Sequence, residues 1–123
     1  MEKFGFDAAL FENNGGKHVR FQAGQQIFRE GDTGKVLYLI TDGEVTLQSE
    51  GDDLSTLWPG DVFGEMAMID GSARSASALA KSNVDAIILD RDAFLNIVRV
   101  QPEFAMYVLT ILSVRVRELS CLI

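Results

Sequence analysis

The chain has 123 residues, enough for one domain with one hydrophobic core, and 47% of them are hydrophobic, as in ordinary globular proteins. Its formal net charge of −7 argues against nucleic-acid binding by this chain alone, because that function needs a basic face. Cys121 is the single cysteine and His18 the single histidine, which excludes an internal disulfide framework and a metal site built from several of these residues.

The N-terminal segment, residues 1–16, has the pattern of a short helix followed by a turn. Phe6, Leu10 and Phe11 are spaced loosely as on one helical face, and an Asn-Asn-Gly-Gly sequence at 13–16 stops the pattern. We expect this helix to pack on the rest of the domain.

The chain carries neither a targeting pattern nor a membrane-spanning pattern. The N-terminus lacks the basic-then-apolar order of a signal peptide. No apolar run approaches the ~20 residues that a bilayer requires. We therefore expect a cytoplasmic location and no membrane insertion.

From residue 17 to residue 57 the hydrophobic period changes to two, which is typical of half-buried β-strands. Turn signals at Gly31-Asp32, Asp42-Gly43 and Gly51-Asp52 separate runs that are rich in β-forming residues. Turns at about ten-residue spacing predict an antiparallel roll or barrel rather than a parallel sheet.

The segment from Phe63 to Ser77 (FGEMAMIDGSARSAS) is the most informative part of the chain. Residues 64–69 predict a short helix, whose N-terminus would offer unpaired N–H groups to an anion. Arg74 adds a planar, permanently charged fork that matches two phosphate oxygens. Glu65 has the wrong sign for a phosphate, so its natural partner is a hydroxyl group. Together these features fit a small sugar phosphate.

The remaining residues predict two more strands, at 75–80 and 86–89, and then C-terminal helices. Asp90 or Asp92 can cap a helix that runs to about Arg99, and Pro102 fits the first turn of a final helix. Four residues of that final helix can cover the roll: Phe104, Tyr107, Val108 and Ile111.

The final helix also carries a second apolar stripe. Its residues recur at heptad spacing and are interrupted by Arg115: Ala105, Val108, Leu112, Leu119 and Leu122. A helix that is apolar on two sides usually buries both. The stripe therefore predicts either a homodimer through this helix or tight packing within a monomer.

The segment Phe63–Ser77 resembles the phosphate-binding cassette of cyclic nucleotide-binding domains. Seven residues match in register, namely Gly64, Glu65, Ala67, Arg74, Ser75, Ala76 and Ser77. Ala73 departs from the proline of many members. The likeness extends from about residue 21 to residue 120. It implies one mainly β domain with flanking helices: an N-terminal helix and turn (1–16), a jelly-roll-like antiparallel β-roll or double-stranded β-helix (17–89) with the cassette at 63–77, and C-terminal helices (90–123).

The resemblance also implies residues for the sugar phosphate of a cyclic nucleotide. Arg74 would pair with the exocyclic phosphate oxygens, and Glu65 would accept the ribose 2′-hydroxyl. Gly64 lies beside both groups. Backbone N–H groups would complete the anion cradle at Gly64, Met66, Ser75 and Ala76.

The base would lie in the roll among six residues: Val45, Leu47, Leu54, Ser55, Val62 and Phe63. In relatives, a hydroxyl at the position of Ser77 can contact a guanine, and a serine there does not exclude adenine. Leu119 and Ser120 fall where some relatives carry polar base contacts on the final helix, which acts as a lid. Leu119 replaces a threonine, so the preference between cAMP and cGMP stays open.

The function implied is a non-catalytic sensor of cAMP or cGMP that signals to an unknown downstream protein by movement of its C-terminal helix. The alternative is a protein-interaction or dimerisation domain that kept the fold and lost the ligand, and the intact pair of Glu65 and Arg74 argues against it. We expect no enzyme, metal or cofactor, because the sequence lacks a Ser-His-Asp set, a zinc constellation and a P-loop.

Overall fold

The computed structural model describes residues 5–119, and the side chains of residues 5–117. In that part of the chain, eight strands form two four-stranded sheets and four helices flank them. In chain order the elements are α1 (Ala8–Glu12), β1 (Lys17–Phe21), β2 (Gln26–Phe28), β3 (Leu37–Asp42), β4 (Val45–Ser49), β5 (Asp52–Leu57), β6 (Val62–Phe63), α2 (Glu65–Asp70), β7 (Ser77–Ala80), β8 (Val84–Leu89), α3 (Arg91–Val100) and α4 (Glu103–Leu119).

The strands form an antiparallel β-roll. One sheet has the strand order β1-β8-β3-β6 and the other β2-β7-β4-β5, so the chain passes repeatedly from one sheet to the other. Every pairing between these strands is antiparallel. The predicted fold, mainly β with flanking helices, is confirmed.

Tight corners of the roll depend on the predicted turn glycines, of which Gly43 is the clearest example. Gly43 has φ +88°, in the left-handed region that glycine adopts without steric cost. A Cβ at this position would also lie 2.2 Å from the carbonyl oxygen of Asn83. The turn between β3 and β4 therefore has no room for a side chain.

Two hydrophobic clusters support the roll. One lies under the helices and is centred on Phe11 and Phe104, whose rings meet edge-on with centroids 5.3 Å apart. The other lies between the sheets and includes Val45 and Phe63. The first cluster confirms that the N-terminal helix packs on the domain. It also confirms that four residues of the final helix cover the roll: Phe104, Tyr107, Val108 and Ile111.

Strand β7 begins two residues later than predicted, at Ser77 rather than Ser75. The backbone before it is bonded elsewhere, because the N–H of Arg74 donates to the carbonyl of Asp32 and its carbonyl accepts from Gly31, both at 2.8 Å. The cassette turn is therefore tied to the loop after β2 before the chain enters the second sheet.

Helices α3 and α4 begin close to where the sequence predicts. The Asp90 carboxylate accepts a hydrogen bond from the Ala93 N–H at 2.8 Å and so caps α3, and Pro102 lies immediately before α4. No single helix among residues 5–119 is long and apolar enough to cross a membrane. Helix α3 and α4 up to Arg117 meet that test only when taken together, and a 120° bend separates them.

Two members of the heptad stripe predicted on α4 follow the second alternative, tight packing within the monomer. Val108 is buried and Leu112 packs against the cluster under the helices, because both lie on the side of α4 that already covers the roll. The large apolar residues of α4 that are exposed are Met106, Leu109, Val114 and Val116. The side chain of Leu119 and all of Leu122 lie outside the described residues.

Candidate functional site

A cavity of about 530 Å³ lies between the second sheet, α2 and α4, within the size range of roughly 300–1,000 Å³ that is usual for small-molecule sites. It brings together all six residues predicted for the phosphate and ribose: Gly64, Glu65, Met66, Arg74, Ser75 and Ala76. Leu112, Arg115 and Val116 line the same cavity from α4, so the final helix forms one of its walls.

Arg74 lines this cavity and is buried, with 6% of its surface exposed. Its Nη1 donates to the carbonyl oxygens of Val36 at 3.0 Å and Gly64 at 2.9 Å. Its Cζ lies 4.3 Å from the centroid of the Phe28 ring and 5.7 Å from that of Tyr38. Desolvation lowers the pKa of Arg74, but an arginine begins so high that the group stays charged at neutral pH.

The positive charge of Arg74 has no carboxylate within 4.0 Å in the described part of the chain. Both donors of Nη1 are used by carbonyl groups, whereas Nε and Nη2 make no hydrogen bond to any described residue. A buried cation with one unused edge in a cavity wall is suited to a bidentate anion.

Two glycines leave the space that this guanidinium occupies. A Cβ on Gly34 would lie 2.5 Å from Nη2 of Arg74, and one on Gly64 would lie 2.6 Å from Nη1. Gly64 also has φ +78°, which a side chain would strain. Any larger residue at either position would push the guanidinium from its place.

Glu65, the first residue of α2, is held by the final helix. Its Oε1 lies 3.1 Å from Nη1 of Arg115, and the two side chains are only 16% and 22% exposed. Nη2 of Arg115 donates to the Val62 carbonyl as well. Our sequence reasoning treated Arg115 only as an interruption of an apolar stripe, and that interruption was the available signal for its role.

The predicted base residues divide into two groups. Leu47, Leu54, Ser55 and Phe63 line the cavity. Val45 and Val62 are fully buried instead. Successive strand residues point to opposite faces, so Val62 enters the cluster under the helices while Phe63 points between the sheets. Val45 shares the inward face of β4 with Leu47 but lies wholly in the cluster between the sheets.

Ser77 is not among the cavity-lining residues. Its Oγ accepts a hydrogen bond from the Glu30 N–H at 2.9 Å, so it ties the start of β7 to the loop after β2. The side chain of Leu119 and all of Ser120, the two positions on the final helix predicted to lie near the base, lie outside the described residues. Within residues 5–119, no group of three histidine, cysteine, aspartate or glutamate residues is placed to hold a metal ion.

Comparison with known proteins agrees with this geometry. The sequence pattern of the family described as "Cyclic nucleotide-binding domain" matches residues 18–101. The chain belongs to this family. It is 36% identical over 103 residues to a cyclic AMP receptor protein of Thermus thermophilus, a match that covers 80% of this chain and 48% of the relative.

Two further relatives show the range of proteins that contain similar domains. The crystal structure of the Thermus thermophilus catabolite activator protein superposes with a TM-score of 0.79 at 31% identity, covering 95% of this chain and 58% of that one. A cGMP-dependent protein kinase of Eimeria tenella is 39% identical over 84 residues, covering 68% of this chain and 8% of the kinase. The chain therefore spans about half the length, or less, of these curated relatives.

Proposed function

We propose that this domain binds a 3′,5′-cyclic purine nucleotide, cAMP or cGMP, in the cavity between α2 and α4. The observation that carries the proposal is the unused Nε–Nη2 edge of the buried Arg74, which has no carboxylate partner among the described residues. A phosphate would supply both the countercharge and two acceptors for that edge. Gly64, Met66, Ser75 and Ala76, whose backbone N–H groups we assign to the anion cradle, line the same cavity.

Glu65 is the acceptor that we assign to the ribose 2′-hydroxyl. Its carboxylate lines the cavity with Arg74, and its ion pair with Arg115 leaves it the capacity to accept a further hydrogen bond. A cyclic phosphate closes on the 3′ and 5′ oxygens, so the 2′-hydroxyl alone of the ribose hydroxyls stays free. Glu65 would therefore favour ribonucleotides over 2′-deoxy nucleotides.

The base would lie against the apolar wall formed by Leu47, Leu54 and Phe63, with Ser55 as a polar group nearby. Apolar contact of this kind accepts either purine. Ser77 would then influence base choice only through the loop that it anchors, because its hydroxyl is bonded to the Glu30 N–H.

The signal would pass through α4. This helix supplies one wall of the cavity and reaches Glu65 through Arg115. A ligand that contacts Glu65 must change the environment of that ion pair, and by doing so it would shift the population between docked and displaced arrangements of the helix. In this proposal the domain is a non-catalytic sensor, and its output lies in a downstream protein.

A homodimer through α4 is the second part of the proposal. Met106, Leu109 and Val116 are each more than half exposed, and with Ser113 they are spaced by three, four and three residues, as in one face of a coiled coil. We expect Leu109→Glu to abolish a dimer in sedimentation, while Arg91→Glu, at an exposed position on α3, preserves it. A wild-type monomer, or a dimer unaffected by Leu109→Glu, would exclude this interface.

The competing function is an interaction domain that has lost its ligand. In that case the cavity would stay empty and the α4 surface would be the whole functional site. In this proposal the domain lies in the cytoplasm and does not insert into a membrane. Its formal net charge of −7 argues against nucleic-acid binding of its own.

Arg74→Lys tests the phosphate assignment directly. Lysine keeps the charge and loses the planar fork, whereas alanine would also leave the Val36 and Gly64 carbonyls without a partner. We expect the affinity for cAMP or cGMP to fall by about tenfold or more, since one bidentate hydrogen bond is worth roughly 1.4 kcal/mol or more. Arg20→Lys is the matched control, because Arg20 is exposed and pairs with Asp85 away from the cavity. Unchanged affinity in Arg74→Lys would refute the assignment.

The ribose assignment has its own test. Wild-type protein should bind cAMP more tightly than 2′-deoxy-cAMP, and Glu65→Gln should narrow that difference because a neutral acceptor forms a weaker hydrogen bond. Equal binding of the two nucleotides by wild-type protein would remove Glu65 from this role.

A further inference from the structure

Phe28, which was not among the residues predicted for the site, lies under the charge of Arg74. Its ring centroid is 4.3 Å from Cζ of Arg74. This is well inside the ~6 Å within which an aromatic face attracts a cation. The Tyr38 ring is farther away, at 5.7 Å. Phe28 also lines the cavity, so its ring lies beside the place assigned to the phosphate.

The Phe28 ring is itself fixed by other rings. Its centroid lies 5.8 Å from both the Tyr38 and the Phe63 rings, and those two are stacked with centroids 4.8 Å apart. Three aromatic side chains from β2, β3 and β6 thus form one packed platform. Because each ring packs against the others, the Phe28 side chain has little freedom to rotate away from the Arg74 guanidinium.

We propose that Phe28 is a positioning residue for the anion site. The Val36 and Gly64 carbonyls fix the Nη1 end of Arg74. The ring of Phe28 would fix the plane of the guanidinium, and the Nε and Nη2 donors, which make no hydrogen bond to a described residue, would stay in one orientation before any ligand arrives. This inference rests on the proposed function, because it assigns Phe28 a part in the binding of the same anion.

The consequence is preorganisation of the site. A guanidinium that is already ordered loses no further side-chain entropy when the phosphate binds, whereas a mobile one must be ordered at that moment. The aromatic face holds the charge without neutralising it, which a carboxylate would do. Arg74 can therefore be both buried and available to an anion.

The sharpest test varies the electrostatics of the ring at nearly constant shape. Phe28 is replaced site-specifically by mono-, di- and trifluorophenylalanine, which progressively weaken the negative potential of the ring face. The 123-residue chain is then titrated with cAMP and cGMP by calorimetry. We expect the affinity of the better ligand to fall in steps, by roughly two- to tenfold in total, the range expected for ordering one side chain. The same series at Phe94, a half-buried ring on α3, is the matched control and should show no trend.

A second measurement, on the unliganded protein, tests whether Phe28 orders the Arg74 guanidinium, separately from whether Phe28 strengthens nucleotide binding. The Nε–Hε signal of Arg74, identified by its loss in Arg74→Lys, reports how ordered the guanidinium is. We expect this order to decrease along the fluorinated Phe28 series. A flat affinity series, with or without a change in order, would overturn the role of Phe28 in binding. If wild-type protein binds neither nucleotide, the proposed function fails, and the order of Arg74 alone decides whether Phe28 positions it.

Discussion

Replacement of Arg115 by methionine should loosen the final helix from the wall of the cavity. Methionine keeps much of the apolar stem but loses the charge that pairs with Glu65 and the donor that reaches the Val62 carbonyl. Glu65, only 16% exposed, would be left without its ion-pair partner. This variant therefore tests whether the Glu65–Arg115 ion pair holds α4 against α2.

The expected cost follows from the burial of the pair. Exposed ion pairs contribute about 0.2–1 kcal/mol, whereas breaking a fully buried pair costs about 3–5 kcal/mol. At 16% and 22% exposure the Glu65–Arg115 pair lies nearer the buried case. We expect the free energy of unfolding to fall by about 2–3 kcal/mol. For a domain of this size, at roughly 4 °C for each kcal/mol, this lowers the melting temperature by roughly 8–12 °C.

The assay is a double-mutant cycle measured by denaturant unfolding, with Arg115→Met, Glu65→Gln and the double variant. The coupling energy between the two residues should be about 1.5–3 kcal/mol, as for a charged hydrogen bond. Arg117→Met, at an exposed position on the same helix, is the control and should change stability by less than ~0.5 kcal/mol. A coupling energy below ~0.5 kcal/mol would refute the claim that this ion pair docks α4.

Two further predictions concern the space around Arg74 and the two tyrosines of the chain. Gly34→Ala should weaken nucleotide binding, because its Cβ would lie 2.5 Å from Nη2 of Arg74. Lys35→Ala, at the exposed neighbouring position, is the control and should leave the affinity unchanged. Equal affinities of the two variants in calorimetry would contradict this prediction. Burial raises the pKa of both Tyr38 and Tyr107 above 10.0, so tyrosinate absorbance at 295 nm should develop at higher pH in the folded than in the unfolded protein. Since the pKa of each tyrosine is higher in the folded protein, its contribution to the free energy of unfolding is complete below pH 10 and is lost as the pH rises further. Coincident titration curves for the folded and the unfolded protein would contradict the burial of the tyrosines.

The sequence was most informative where function depends on a local motif. The cassette fixes Glu65 and Arg74 only nine residues apart, and the same short segment contains the backbone of the anion cradle. All of these residues lie at one cavity. The antiparallel roll, by contrast, was predicted from turn spacing together with a resemblance. The start of β7 was misplaced because the backbone N–H of Arg74 donates to the carbonyl of the distant Asp32.

Contacts between distant segments were not predictable in the same way. Arg115 reaches Glu65 across 50 residues of chain, and Phe28 meets Arg74 although β3 to β6 and α2 lie between them in the chain. Neither residue belongs to the cassette, and each has an ordinary structural explanation when the sequence alone is considered. The error at Val62 was of a different kind, since the two-residue period of β6 already determines that Val62 and Phe63 face opposite sides.

The central claim is that the cavity binds a cyclic nucleotide through its phosphate and ribose. Calorimetric titration of the protein, stripped of any co-purified nucleotide, with cAMP, cGMP and 5′-AMP tests it most directly. We expect saturable binding of at least one cyclic nucleotide and none of 5′-AMP at the same concentrations. Absence of binding by both cyclic nucleotides in a folded protein would contradict the account and favour the interaction domain.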